Sequence, residues 1–136
     1  MKKFLIFSSA FLLFTTSCTK ESCQEDPCSD DAFCTAVFVT VGVQIKDNQD
    51  NPVKLDAAYT IRKKTGEKII FTQDQTAGRY HVLQDNFTNK LANRSEEFQF
   101  IGIKNNKTVV SETYLIGGDC CHIYKLSGKE TVVASF

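Results

Sequence analysis

The chain has 136 residues, 16 basic and 16 acidic side chains and no net charge, and 42% of it is apolar. That length suits one domain with one modest core. There is no basic excess to suggest nucleic-acid binding.

In chain order, the first element is a short apolar stretch. Lys2 and Lys3 precede an apolar run over residues 4–14, followed by Thr15-Thr16-Ser17 and then Cys18. A basic start, an apolar core and a small-residue end are the three parts of a secretory signal. The run is too short to cross a bilayer, which takes about 20 apolar residues. Residues 1–17 therefore read as a signal helix that is removed. Residues 18–34 follow as a cysteine-containing tether, with Glu21, Glu25, Asp26, Asp30 and Asp31 against the single Lys20. This acidic run is most simply a solvated spacer.

From residue 35 the pattern changes. Val37, Val39, Val41, Val43 and Ile45 fall on one parity, which predicts a strand over 35–45 with one buried face. Residues 47–52, Asp-Asn-Gln-Asp-Asn-Pro, form a turn. Further strands are expected over 57–63, 68–72 and 79–84. Residues 85–96 are polar, with room for one short helical turn. Strands follow over 98–103, 108–116, 120–126 and 130–136. After residue 18 no apolar stripe runs for three helical turns. About seven to eight short strands at this spacing predict an antiparallel β-sandwich over 35–136, of the transthyretin or immunoglobulin type.

Three resemblances add to this. A cysteine directly after small residues resembles the lipobox of bacterial lipoproteins, in the looser form of the Bacteroidetes with Thr15 where Leu is commonest. The resemblance implies that the Cys18 thiol carries a diacylglycerol and anchors the chain in the bacterial cell envelope, most simply at the outer membrane. Two acyl chains suffice for stable anchoring. The run Val43-Gln44-Ile45-Lys46-Asp47, then Asp50-Asn51-Pro52-Val53 and Ala57-Ala58-Tyr59-Thr60-Ile61, with Gly78-Arg79-Tyr80-His81-Val82 later, resembles carboxypeptidase regulatory-like domains. It implies a transthyretin-like sandwich; Asp50 stands where that family usually has Gly. Gly117-Gly118-Asp119-Cys120-Cys121-His122-Ile123 is similar to small Bacteroidetes lipoproteins, and implies location and fold alone.

With Cys18 acylated, five cysteines remain. Export places them where disulfides persist. Cys120 and Cys121 are neighbours on an expected strand, so their side chains diverge and each needs a different partner from the N-terminal cluster. Cys28 and Cys34 are the favoured partners, in either order, and Cys23 is the spare thiol. Bridges closing about 90 residues contribute about 4–5 kcal/mol each in the chain-entropy model.

Other candidate chemistry is thin. Adjacent cysteines followed by His122 do not match the ligand spacing that wraps one zinc ion, so no metal and no cofactor is expected. His81 and His122 lie on separate expected strands without a nucleophile motif. Glu96-Glu97 and Asp30-Asp31 read as solvated charge, because neighbours on an extended chain diverge. Tyr59, Tyr80, Tyr114 and Tyr124 read as half-buried sheet residues. The sequence therefore predicts no enzyme. It predicts a non-catalytic binding, adhesion or accessory protein held to a membrane by its lipid, with a protein or glycan partner. Its rivals are a small envelope hydrolase built on His81 or His122, and an inhibitor of another enzyme.

Overall fold

A computed structural model describes residue 28 and residues 33–71 and 78–136. The expected signal over residues 1–17, with Cys18, Cys23 and all of the expected tether except residues 28, 33 and 34, lies outside the described residues.

Among the described residues, eight strands form two sheets. In chain order they are β1 (Thr40–Lys46), β2 (Ala57–Arg62), β3 (Glu67–Ile69), β4 (Arg79–Gln84), β5 (Arg94–Lys104), β6 (Lys107–Gly118), β7 (Ile123–Ser127) and β8 (Thr131–Val133), with a one-turn helix α1 (Thr88–Leu91) between β4 and β5. One sheet has the order β4-β1-β8, the other β3-β2-β5-β6-β7. All pairings are antiparallel except β1 with β8, which run parallel. This exception arises where the chain leaves the large sheet at Ser127 and crosses to the small one. The all-β sandwich follows the expected architecture, and inside the polar stretch 85–96 a 3-10 turn over Asp85–Phe87 leads into α1.

The facing sides of the sheets bury alternating residues, as a period of two requires. Val41, Val43 and Ile45 of β1 and Tyr80 and Val82 of β4 meet Phe98, Phe100, Tyr114 and Ile116 from the large sheet. The Tyr80 and Phe100 rings pack 6.1 Å apart, centroid to centroid. Thr60 Oγ1 donates to the Val82 carbonyl at 2.8 Å and so ties one sheet to the other. The tyrosines separate by position: Tyr80 and Tyr114 are fully buried, Tyr59 is half-buried and Tyr124 is exposed.

Tyr80 is also a hydrogen-bonding post. Its hydroxyl donates to Val53 O at 3.1 Å and accepts from Leu55 N–H at 2.6 Å. Those bonds fix the segment between β1 and β2 over the sandwich end. Tyr80→Phe leaves a buried N–H and C=O unpaired, so a loss of about 1–3 kcal/mol is expected, read as a lowered urea midpoint with an unchanged slope.

The turn after β1 is built on Asp47 and Asp50. Asp50 takes a left-handed φ of 68°, which Asp tolerates better than most residues. Asp47 Oδ1 accepts from the backbone N–H groups of Gln49 and Asn51 at 2.8 and 2.9 Å.

Several boundaries differ from the sequence reading. β1 begins at Thr40, and Val37 is 65% exposed despite its parity. The segment before Thr40 is held by side chains and a disulfide instead of a sheet. β3 stops at Ile69, leaving Ile70 exposed. β5 starts at Arg94, four residues early, because it pairs with the far end of β6. Glu96 is not solvated. It is 7% exposed and receives Arg62 Nε at 2.6 Å and Nη2 at 2.9 Å. Its neighbour Glu97 points to the other face and pairs with Lys63 at 2.9 Å. The hydrogen bonds from Arg62 outweigh burial and hold the Glu96 carboxyl below its ordinary range.

Candidate functional site: the disulfide-stapled corner

Asp119-Cys120-Cys121-His122 is the turn joining β6 to β7. Asp119 N–H donates to the His122 carbonyl at 3.0 Å. Asp119 Oδ1 accepts from the N–H groups of Cys121 and His122, both at 2.7 Å. An aspartate at the start of a turn favours this local bonding. The bonds from His122 and Cys121 lower the Asp119 pKa. Cys120 and Cys121 therefore sit in a turn, and β7 begins only at Ile123. Their divergence has a different cause from the one expected, but the consequence is the same.

Cys120 is bonded to Cys28 and Cys121 to Cys34, with Cα–Cα distances of 5.2 Å in both bridges. All four expected disulfide residues are thus brought together, each neighbouring cysteine taking a different partner. Chain neighbours extend the zipper. Thr35 follows Cys34, His122 follows Cys121, and Thr35 Oγ1 lies 2.9 Å from His122 Nε2. On the other side of the ring, His122 Nδ1 lies 2.8 Å from Asp85 Oδ2.

Asp85, directly after β4, is the centre of this corner. Its side chain is 9% exposed. Oδ2 also accepts from Val39 N–H at 2.6 Å, and Oδ1 accepts from Ile123 N–H at 2.9 Å. One carboxylate therefore joins the start of β1, in the small sheet, to the start of β7, in the large one. Burial alone would raise its pKa; the bonds from Val39, Ile123 and His122 outweigh that, and the net shift is downward.

With Nδ1 protonated toward Asp85, Nε2 of His122 faces the Thr35 hydroxyl as an acceptor. Carboxylate, imidazole and hydroxyl then stand in the order of a nucleophilic relay. The sequence reading named His122 but missed Thr35 and Asp85. His81 is not part of this corner. It lies on β4, its Nδ1 is 2.9 Å from Gln84 Nε2, and its ring meets Phe71 edge-on. Among the described residues, no group of three or more His, Cys, Asp or Glu side chains is placed to hold a metal ion.

Beside the corner, between β1 and β7, runs a groove of about 640 Å³. Its lining includes Gly42, Gln44, Arg79, Tyr124, Lys125 and Glu130. It exists because β8 pairs with β1 only at Gln44–Lys46. Towards Thr40, no described strand continues the sheet on that side. Gly42 has no side chain to fill the space. Thr35, His122 and Asp85 are not among the lining residues.

Compared with known proteins, the chain matches no family model, no curated protein and no solved structure.

Proposed function

We propose that this chain is a lipid-anchored protein of the bacterial cell envelope, held through Cys18 at the outer membrane, whose β-sandwich is a non-catalytic binding, adhesion or accessory module. The observation that carries this reading is the pair of disulfides at one corner. Disulfides persist in exported proteins, which supports the secretory signal over residues 1–17. Cys28, the first described residue, is ten positions after Cys18, so along the chain the stapled corner follows closely on the proposed anchor. The groove beside β1 is in the size range of ligand sites and gives the domain a surface on which to bind. The test is metabolic labelling with radioactive palmitate, comparing the wild type with Cys18→Ala. Loss of label in the variant supports the anchor; equal labelling refutes it.

One observation favours a second reading, a small envelope hydrolase. It is the hydrogen-bonded series Asp85–His122–Thr35. In that reading Thr35 Oγ attacks an acyl carbon as His122 Nε2 takes its proton, His122 gives that proton to the alcohol or amine whose bond to the acyl carbon breaks, water then releases the acyl group from Thr35 by the same route, and Asp85 holds the imidazole tautomer. Against it, Asp85 is also engaged by two backbone N–H groups as a structural tie, and the groove does not reach Thr35. Exposure to a fluorophosphonate probe separates the readings. Adduct on Thr35 that disappears in His122→Gln supports the hydrolase, and an unmodified chain removes it.

A further inference from the structure

The corner that holds the disulfides also presents apolar side chains to solvent. Phe33 is fully exposed, Val37 is 65% exposed and Phe38 is 63% exposed. They belong to a segment outside the sheets. Yet the segment is fastened at three places, by Cys34 to Cys121, by Thr35 to His122 and by Val39 N–H to Asp85. A fastened segment cannot fold its apolar side chains away into the core, so they stand at the surface by construction. Three large apolar side chains thus stand exposed within six residues of chain around Cys34.

What covers them is set by the chain that precedes them. On the reading that Cys18 carries the lipid, nine residues separate it from Cys28. Ten Cα steps span at most about 35 Å. Cys28 is bonded to Cys120 in the same turn that holds Cys34 through Cys121. The segment bearing Phe33, Val37 and Phe38 is thus where the described domain joins the chain that leads back to Cys18. Ile70, also exposed, follows β3, the strand at the opposite edge of the large sheet from β7.

We infer that Phe33, Val37 and Phe38 form a membrane-docking face that inserts into the interface of the bilayer carrying the Cys18 lipid. Aromatic and aliphatic side chains partition into that interface, and a second, weak contact adds to an acyl anchor. Tethering raises the effective concentration of the face at the membrane, so few residues suffice. The acidic residues Asp30 and Asp31, just upstream, favour a zwitterionic over an anionic surface. The docked domain is oriented with the β6–β7 turn toward lipid.

The chain contains no tryptophan, so a single introduced one reports its own surroundings. The full, lipidated chain bearing Phe38→Trp is reconstituted into phosphatidylcholine vesicles with or without brominated phosphatidylcholine, beside Ile70→Trp as the reference. Flotation with the vesicles reads the anchor; quenching reads the docking. The expected result is flotation of both, with tryptophan at position 38 blue-shifted and quenched several-fold more strongly than at position 70. Flotation with equal, weak quenching at both positions overturns the docking face and leaves the anchor standing. Failure to float refutes the anchor and the docking face with it. A blue shift at position 38 that is the same without vesicles shows the face covered by protein, and also overturns the inference.

Discussion

Asp85→Ala is expected to lower the stability of the oxidised domain by about 3 kcal/mol or more, since hydrogen bonds to a charged group contribute about 1.5–3 kcal/mol each. The carboxylate receives Val39 N–H, Ile123 N–H and His122 Nδ1. Alanine leaves all three without an acceptor at the junction of the two sheets. Asp85→Asn keeps the shape but turns one acceptor into a donor facing another donor, so an intermediate loss is expected. The effect depends on pH. The folded-state pKa of Asp85 is lowered. Its stabilising contribution is therefore fully present above the ordinary aspartate value of about 3.9. It is lost as pH falls through the lower folded value. Urea titrations from pH 7 to pH 2 check this. Wild type should lose stability in the acid limb more steeply than Asp85→Asn. Parallel acid limbs would show that the carboxylate is not the tie described above.

The second large effect concerns the two disulfides, and it is not additive. Taken alone, each bridge closes a loop of about 90 residues, with sequence separations of 92 and 87. The chain-entropy model gives about 4–5 kcal/mol for such a loop. The bridges run side by side, however. When one is present, the other closes only a small ring made of residues 28–34 and 120–121. That ring is worth about 2–3 kcal/mol in the same model. Cys28→Ser with Cys120→Ser should thus cost about 2–3 kcal/mol, as should Cys34→Ser with Cys121→Ser, while removing all four costs about 7 kcal/mol. Thermal melts of the three variants measure this. Equal losses of 4–5 kcal/mol for each single bridge would contradict the parallel arrangement. Loss of the Cys34–Cys121 bridge should also free Thr35 from His122, whereas loss of Cys28–Cys120 should not.

How far the sequence reading reached follows from the range of each interaction. β4 is found over 79–84 as expected because local signals bound it: Gly78 adopts φ 68° just before it, and Asp85 ends it. Val37 and Val39 continue the parity of β1, but the chain there is claimed by Cys121 and Asp85, which are distant in sequence. Parity alone cannot show that competition. The same holds for Glu96, whose partner Arg62 lies 34 positions upstream. The parallel β1–β8 pairing depends on where the chain crosses between sheets, and no local pattern encodes that crossing. That Cys120 and Cys121 take different partners was accessible, because one thiol forms one bridge; which of Cys28 and Cys34 each of them takes was not. Thr35 beside His122 follows only once Cys34 is known to bond Cys121, since each directly follows one of those cysteines. Asp85 carried no such signal; its role appears only when β1, β4 and β7 are brought together.

The most direct test of the account is the intact mass of the mature protein after alkylation without reduction, followed by peptide mapping. A diacylglycerol on Cys18 and bridges at Cys28–Cys120 and Cys34–Cys121 leave one free thiol. The expected product begins at Cys18, carries acyl mass on that residue, and has a single alkyl group, on Cys23. A chain without acyl mass and without any free thiol, with Cys18 bonded to Cys23, would contradict the anchor. More than one alkylated cysteine would contradict the stapled corner.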